Sequence, residues 1–468
     1  MKNRHRLTPL AQAALLATAA LTSACSLTPT YHTPTTPQPA AFKEAGDWVP
    51  AAPADALERG PWWRLFNDPT LDSLMAQVDV SNQNVAAAVA SYEQARALVQ
   101  EARAAFFPAV SLNGSANRSG GGGSNSNGSS YRLSLGGTWE PDVWGRLRAS
   151  SNAASASAQA SAADLASARL SAQGELAANY FSLRAADAQR ALLGTTIEGY
   201  QRVLQITQNR FNAGIAAKSD VLQAQTQLAN AQSDALTLDR QRAQLEHAIA
   251  VLVGKAPADF ALAPDPAWRG SVPAVPVGVP STLLQRRPDI ASAERRVAAA
   301  NEQIGIARAG YYPNIGLTAS YGTGGTAVSD LFKASTAVWS LGLSAAQLIF
   351  DAGETRARVA GARAAQEEAA ARYRQTVLTA FADVEDQLSA ARILAQQEEL
   401  QRQASAAADQ VEQQMLNRYK AGQVSYTEVV QAQATALAAR RALVQSQSSR
   451  QSTAVALIQS LGGGWQGL

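Results

Sequence analysis

Cysteine is nearly absent: the 468 residues hold one Cys and only three His. That excludes a disulfide framework and leaves too few soft ligands for a zinc or iron-sulfur centre in one chain, so no metal or other cofactor is expected. The histidines are also scattered. His5 lies in the leading segment, His32 in a Pro-rich stretch and His247 in a helical one, and none stands at a spacing that pairs it with a nucleophile. Long apolar runs are missing too, for Leu10 to Leu21 falls short of the roughly 20 residues that a membrane-spanning helix needs. Aromatics make up 6% and charged residues 16%, below the roughly one quarter usual for charge in soluble domains. Ala, Gln and Ser take their place, a composition suited to long, closely packed helices. The formal charge of +3 hints at an anionic partner. The hint is spurious, because Lys2, Arg4 and Arg6 stand in the first 24 residues with no acid, and without them basic and acidic side chains are equal in number. No nucleic-acid partner is expected.

Those three cations, the apolar run and the small residues Ser23 and Ala24 form a secretory signal over residues 1–24. The string LTSAC that ends it resembles a bacterial lipobox, with Thr22 where that pattern prefers Leu. Lipidation of Cys25 is the functional reading, and an incidental residue of the signal is the alternative. Ser26, in place of Asp, directs such a lipoprotein to the outer membrane. Residues 25–60 carry Pro29, Pro34, Pro37, Pro39, Pro50 and Pro53, which disfavour helix interiors and central strands and predict an extended tether.

The remainder is written twice. ARAAFFPAVSL from Ala102 parallels ARAGYYPNIGL from Ala307, and RFNAGIAAKSDVLQAQ from Arg210 parallels RYKAGQVSYTEVVQAQ from Arg418, at nearly constant offsets of about 205 to 208 residues. This places one repeat at 61–256, a Pro-rich linker at 257–280, a second repeat at 281–462 and a tail at 463–468. Each repeat reads as a helix, two alternating segments around a Gly-rich stretch, a long helix, a tight turn and a returning helix. Strands are expected at about 108–118, 130–139, 313–322 and 337–347, where apolar and polar residues alternate. A soluble hairpin with one face on a core shows the same alternation as a membrane strand, and the signal segment favours the membrane. The glycines from 119 to 130 lack the Lys-Ser/Thr of a phosphate-binding loop. From Glu354 to Lys420 no proline occurs, so a helix of about 100 Å is expected. Val377, Phe381, Val384 and Leu388, and then Ala404, Ala408, Val411 and Met415, have the four-three spacing of helix-on-helix seams.

Four strands cannot close a membrane barrel, because closed barrels begin at eight. Two chains would give a barrel about filled by its own side chains, so an open pore needs three chains and twelve strands. Ser111, Asn113, Ser115 and Asn117 are the lumen-facing candidates, polar and uncharged.

WWRLFNDPTLDSL from Trp62, PDVWGRLRA from Pro141, RRPDI with Glu294 after it, from Arg286, and both RxxAG turns resemble the outer-membrane efflux lipoproteins of the NodT type, within the TolC-like channel superfamily. The resemblance covers nearly the whole mature chain. It implies a mainly α chain with a membrane β-barrel. Three copies would build a 12-strand outer-membrane β-barrel, continued by a long periplasmic α-helical barrel with a mixed equatorial belt. It implies a homotrimeric exit duct of a tripartite efflux pump, joined to a periplasmic adaptor and an inner-membrane transporter of the resistance-nodulation-division class, and in contact with outer-membrane lipid. Arg210, Gly214, Arg418 and Gly422 would lie at the helical-hairpin tips as adaptor contacts. Glu428 would line a periplasmic aperture, with Asp220 its partner in the first repeat. Acids in a first helical turn are equally explained by the helix dipole, so gate and cap both stand open for these two. Some members carry a second acid where this chain has Gln431.

Two other function classes compete. A structural coiled-coil lipoprotein explains the anchor and the helices but leaves the alternating strands idle. A type I secretion channel shares the architecture. No enzyme is indicated.

Overall fold

The computed structural model describes residues 27–37, 39, 41–45, 61–120, 128–268, 270–273, 275 and 287–463. The expected signal segment, Cys25, most of the glycine-rich stretch after Ser119, Arg286 and nearly all of the C-terminal tail lie outside them. The chain divides into two compact units, one of residues 1–35, 91–162 and 292–374, the other of 36–90, 163–291 and 375–468.

Helix lengths repeat with the sequence. The elements are α1 (Pro69–Ser81), α2 (Gln83–Ala104), β1 (Ala109–Ser119), β2 (Gly128–Trp139), α3 (Arg146–Asn212) and α4 (Lys218–Leu252), then α5 (Pro288–Ala309), β3 (Asn314–Gly325), β4 (Ala337–Ala346), α6 (Glu354–Lys420) and α7 (Tyr426–Ser460). The corresponding helices α2 and α5 have 22 residues each, α3 and α6 have 67, and α4 and α7 have 35. Such agreement in pairs is what gene duplication leaves in a structure. β3 continues three residues beyond its expected end, to Gly325, and β2 begins two residues earlier than expected, at Gly128.

The first unit is built on one antiparallel sheet in the order β1-β2-β3-β4. Extended chain from Leu27 to Thr35 lies along α5 and α6: Asn301 donates to the Pro29 carbonyl at 2.8 Å, Arg308 to that of Leu27 at 3.2 Å, and Tyr31 hydrogen-bonds Glu294. From Leu27 to Thr35 the tether is therefore extended, as its prolines require, and it is held against the helices rather than free, while Lys43–Ala45 forms a short 3-10 turn. Prolines leave carbonyls without helical or ladder partners, and side chains of α5 take them up.

In the second unit α1 begins with Asp68 as its N-cap, the carboxylate accepting from the Thr70 and Leu71 amides at 2.9 and 3.1 Å. It buries Leu71, Leu74, Met75 and Val78. Trp62 and Phe66 join this core, the latter packing on Phe181 with ring centroids 4.8 Å apart. Beside it runs a buried ion network. Asp187 accepts from Arg184 at 3.0 Å and Arg242 at 2.7 Å, while Arg184 and Arg242 donate to the carbonyls of Ala263 and Leu262. The start of the linker is thus fastened to α3 and α4. Farther along the same unit, Phe42 is buried, and the amides of Lys43 and Glu44 donate to Glu385 at 2.7 and 2.8 Å.

Of the two expected seams on α6, the first is buried: Val377, Val384 and Leu388 are inaccessible and Phe381 nearly so. The second is not. Val411 is exposed, Ala404 likewise, and the buried positions there are Glu398 and Ser405. Arg402 and Arg450 hold the Glu398 carboxylate, and although burial alone would raise its pKa, these bonds bring it below the usual range. Ile393, Leu400 and Val411, seven and eleven residues apart, form an apolar stripe on α6 that the described residues leave uncovered.

Candidate functional site: a two-faced sheet and two helical turns

The register separates the sheet into two faces. Residues directly opposite one another across a ladder share a face. One row therefore reads Leu112, Leu135, Tyr321, Trp339, and the neighbouring row reads Ser111, Gly136, Ser320, Ser340. The same alternation carries Val110, Leu133, Leu317, Leu341 and Leu343 to the apolar face, and Asn113, Ser115, Asn117, Ser134, Thr318 and Ser344 to the polar one. Ser320 and Ser340 hydroxyls meet at 2.9 Å across the polar face. The four lumen candidates of β1 lie there together. Arg132 joins them, opposite Ser115 on one side and Gly324 on the other. The polar face is therefore not free of charge, which β1 by itself does not reveal.

The apolar face is solvent-exposed, with Trp339 at 74% and Leu341 at 73%. It is flanked by aromatic residues. Trp139 ends β2 and donates its indole N–H to the Phe106 carbonyl at 2.9 Å, and Phe332 stands exposed in the segment joining β3 to β4. An uncovered apolar face of strands ten to twelve residues long, with aromatics toward its limits, has the dimensions of a bilayer-crossing sheet. Among the described residues no helix is long and apolar enough to cross a membrane. Among the described residues β1 and β4 each pair on one side only.

The second unit carries the two turns. Each long helix ends in a glycine with positive φ, +76° at Gly214 and +74° at Gly422, a conformation that strains any residue with a Cβ. The capping hydrogen bonds are duplicated as well. Gly214 donates to Phe211 and Ile215 to Arg210, each at 2.9 Å, as Gly422 does to Tyr419 and Gln423 to Arg418, each at 2.9 Å. Both acids occupy the third position of the helix that follows. Neither Ala217 nor Ser425, the N-caps, makes a side-chain capping bond, so the Ser-x-x-Glu string from Ser425 to Glu428 does not close as a capping box. Glu428 is exposed and points away from buried Tyr426 and Val429 of the same turn, whereas Asp220 is half-buried.

The two turns are not equivalent. Arg210 donates to the Tyr419 carbonyl at 3.0 Å and its guanidinium lies 4.7 Å from the centre of the Tyr419 ring, so it straps α3 to α6. Arg418 is exposed. Tyr419 is buried with Val203, Ala224, Tyr426 and Val429, while its counterpart Phe211 is exposed beside Ile215. Burial, with Tyr419, Tyr200 and Asp220 nearby, raises the pKa of Tyr426 well above the ordinary phenol value. Sequence reasoning passed over this tyrosine cluster. Its trace was the change from Phe211 to Tyr419 between otherwise parallel turns.

Residues 74–255 and 279–463 match the family model of the outer membrane efflux protein. The chain is 32% identical over 462 residues to a probable efflux pump outer membrane protein, TtgC, of Pseudomonas putida, covering 96% of this chain and 95% of that one. It is 31% identical to the pyoverdine export outer membrane protein OpmQ of Pseudomonas aeruginosa, over 97% and 96% of the two chains. The solved outer-membrane channel OprN superposes with a TM-score of 0.85 at 31% identity, covering 94% of this chain and all of OprN. The duplicated helices, the two-faced sheet and these likenesses agree: this chain belongs to the outer membrane efflux protein family and is an outer-membrane efflux channel component.

Proposed function

We propose that three copies of this chain form the exit duct of a tripartite pump, with Cys25 lipidated as a second hold on the outer membrane. The observation that carries the proposal is a four-strand sheet with one apolar face and two unsatisfied edges. In hydrocarbon every backbone N–H and C=O must be paired, so β1 of one copy must meet β4 of the next, and three copies close twelve strands. The uncovered stripe of Ile393, Leu400 and Val411 suits the same arrangement, since it offers neighbouring copies a helical seam. Helices α3, α4, α6 and α7 of each repeat pair then continue the duct as a periplasmic barrel. Arg132 lines the lumen once per copy and gives it a mild preference for anions.

The turns at Gly214 and Gly422 are the contacts for a periplasmic adaptor, and an inner-membrane transporter of the resistance-nodulation-division class supplies the energy. Phe211 and Ile215 present an apolar surface there, and Arg418 a cationic one. Three Glu428 carboxylates ring the closed aperture. Asp220, half-buried behind Tyr426, acts chiefly on the dipole of α4. The chain moves its cargo passively, so the pump sets what is exported.

Single-channel conductance of the purified protein in planar bilayers tests the reading. Discrete openings are expected, and Glu428→Ala should raise basal conductance and weaken block by divalent cations. If neither the parent nor Glu428→Ala forms openings, the reading as a three-chain duct fails, and conductance unchanged in Glu428→Ala would return that acid to the helix dipole alone.

A further inference from the structure

The first unit contains a recess of about 710 Å³ at the end of the sheet where strands give way to helices, its lining including Leu27, Arg308, Tyr311, Tyr312, Arg356 and Arg363. Three guanidinium groups line it, and no carboxylate does among the described residues. Arg308 spends one N–H on the Leu27 carbonyl. Arg356 and Arg363 are exposed, two turns apart on the same face of α6. The wall is rigid: Tyr312 stacks on Trp144 with centroids 4.9 Å apart, and the Trp144 indole donates to the Pro313 carbonyl at 2.7 Å.

Position distinguishes this cluster from an ordinary basic surface. Tyr311 and Tyr312 immediately precede β3, and Arg356 follows β4 after the exposed run Leu348, Ile349 and Phe350. After β4 the order along the chain is therefore apolar strand face, apolar collar, then arginines, with the tyrosines before β3 at the same end of the sheet, the sequence of environments met in leaving a bilayer through its headgroup layer. Guanidinium forks match phosphate oxygens in pairs, and tyrosine hydroxyls add donors.

We infer that this recess binds the phosphodiester headgroup of an anionic phospholipid of the periplasmic leaflet, its acyl chains lying against the Leu348–Phe350 collar. The inference rests on the sheet lying in a bilayer, but not on the conductance of the duct. Such a site fixes the height of the channel in the membrane independently of any acyl group on Cys25.

Native mass spectrometry of the delipidated, full-length protein in detergent tests it, with dioleoyl phosphatidylglycerol, dioleoyl phosphatidylethanolamine and inorganic phosphate as probes. Phosphatidylglycerol should bind saturably at one per chain and at least tenfold more tightly than phosphatidylethanolamine. Arg356→Gln with Arg363→Gln should weaken it at least tenfold, and Arg202→Gln, on the second unit, should not. Both arginines are exposed, so the double variant should keep the helical circular dichroism and conductance of the parent. Equal retention of the anionic lipid by parent and double variant would overturn the inference. Displacement of the lipid by millimolar inorganic phosphate would identify the recess as a free-anion site and overturn the lipid assignment.

Discussion

At the scale of single residues, the buried charges of the second unit are the positions most sensitive to change. Asp187 neutralises Arg184 and Arg242 while the Asp265 amide donates to it at 3.1 Å. Replacing Asp187 with Ala leaves two guanidinium groups around a buried void, a loss of about 3–5 kcal/mol for a broken buried pair. Chemical denaturation followed by circular dichroism should show a lower midpoint, and Asp187→Asn should fall between. Tyr180 links pH to the same core. Its hydroxyl donates to Asp68 at 2.6 Å, and burial first, then that carboxylate, push its pKa up to about 12. A folded-state pKa raised above the unfolded value of about 10 means that the contribution is complete below pH 10 and is lost as pH rises through about 12. Tyr180→Phe should flatten the alkaline fall in stability over that window and remove one late-titrating phenol from the ultraviolet titration. Neither role could be read from spacing. Asp187 and Arg242 are far apart in the chain, and only the packing of α3 on α4 brings them together.

At the scale of elements, the sheet holds because its alternation is kept in register through all four strands. A charge on the apolar face opposes that directly. Leu341→Arg on β4 should destabilise the membrane-inserted protein by about 2–4 kcal/mol, the cost of a cation facing lipid near the midplane. Ser340→Arg, one residue away on the polar face, should be tolerated. Heat-dependent mobility in mild detergent separates the two variants, and equal stability would mean that the faces had been assigned the wrong way round. The alternation itself was legible in Asn314 to Tyr321, because strand side chains have a period of two. Arg132 follows from the same period, since it alternates with Tyr131 and Leu133, but only the pairing sets it beside Ser115 of β1. The helices show the same division. Seam spacing marks Val377 to Leu388 and Ala404 to Met415 equally well, and only the packing separates them: the first is buried, while beside the second the buried positions are Glu398, held by Arg402 and Arg450, and Ser405.

At the scale of the whole molecule, the chain is an incomplete object. Among the described residues one face of its sheet is apolar and exposed, both sheet edges lack partners, and an apolar stripe on α6 is uncovered. The hydrophobic effect and unpaired backbone groups both favour assembly in such a case. Cysteines placed singly in β1 and β4 of the same chain, at Asn113 and Ser344, should give cross-linked species no larger than three chains on oxidation in the native membrane. A ladder that stops at two, or that continues past three, would rule out a closed ring of twelve strands.

By itself the sequence determined the architecture, because architecture follows from periodicities that local chemistry imposes: two residues for a strand, about 3.6 for a helix, and a repeat unit that returns after some 205 to 208 residues. It also located the two turns, since a reversing helix needs glycine at positive φ. Only the tertiary structure decided what the duplicated positions do. Arg210 became a strap and Arg418 remained free, Tyr419 was buried and Phe211 exposed, and Arg308, Arg356 and Arg363 came to share one recess. The reason is that duplication makes two copies alike in sequence but not in surroundings. Each residue's role depends on neighbours contributed by the other repeat, and those are set by packing between distant segments.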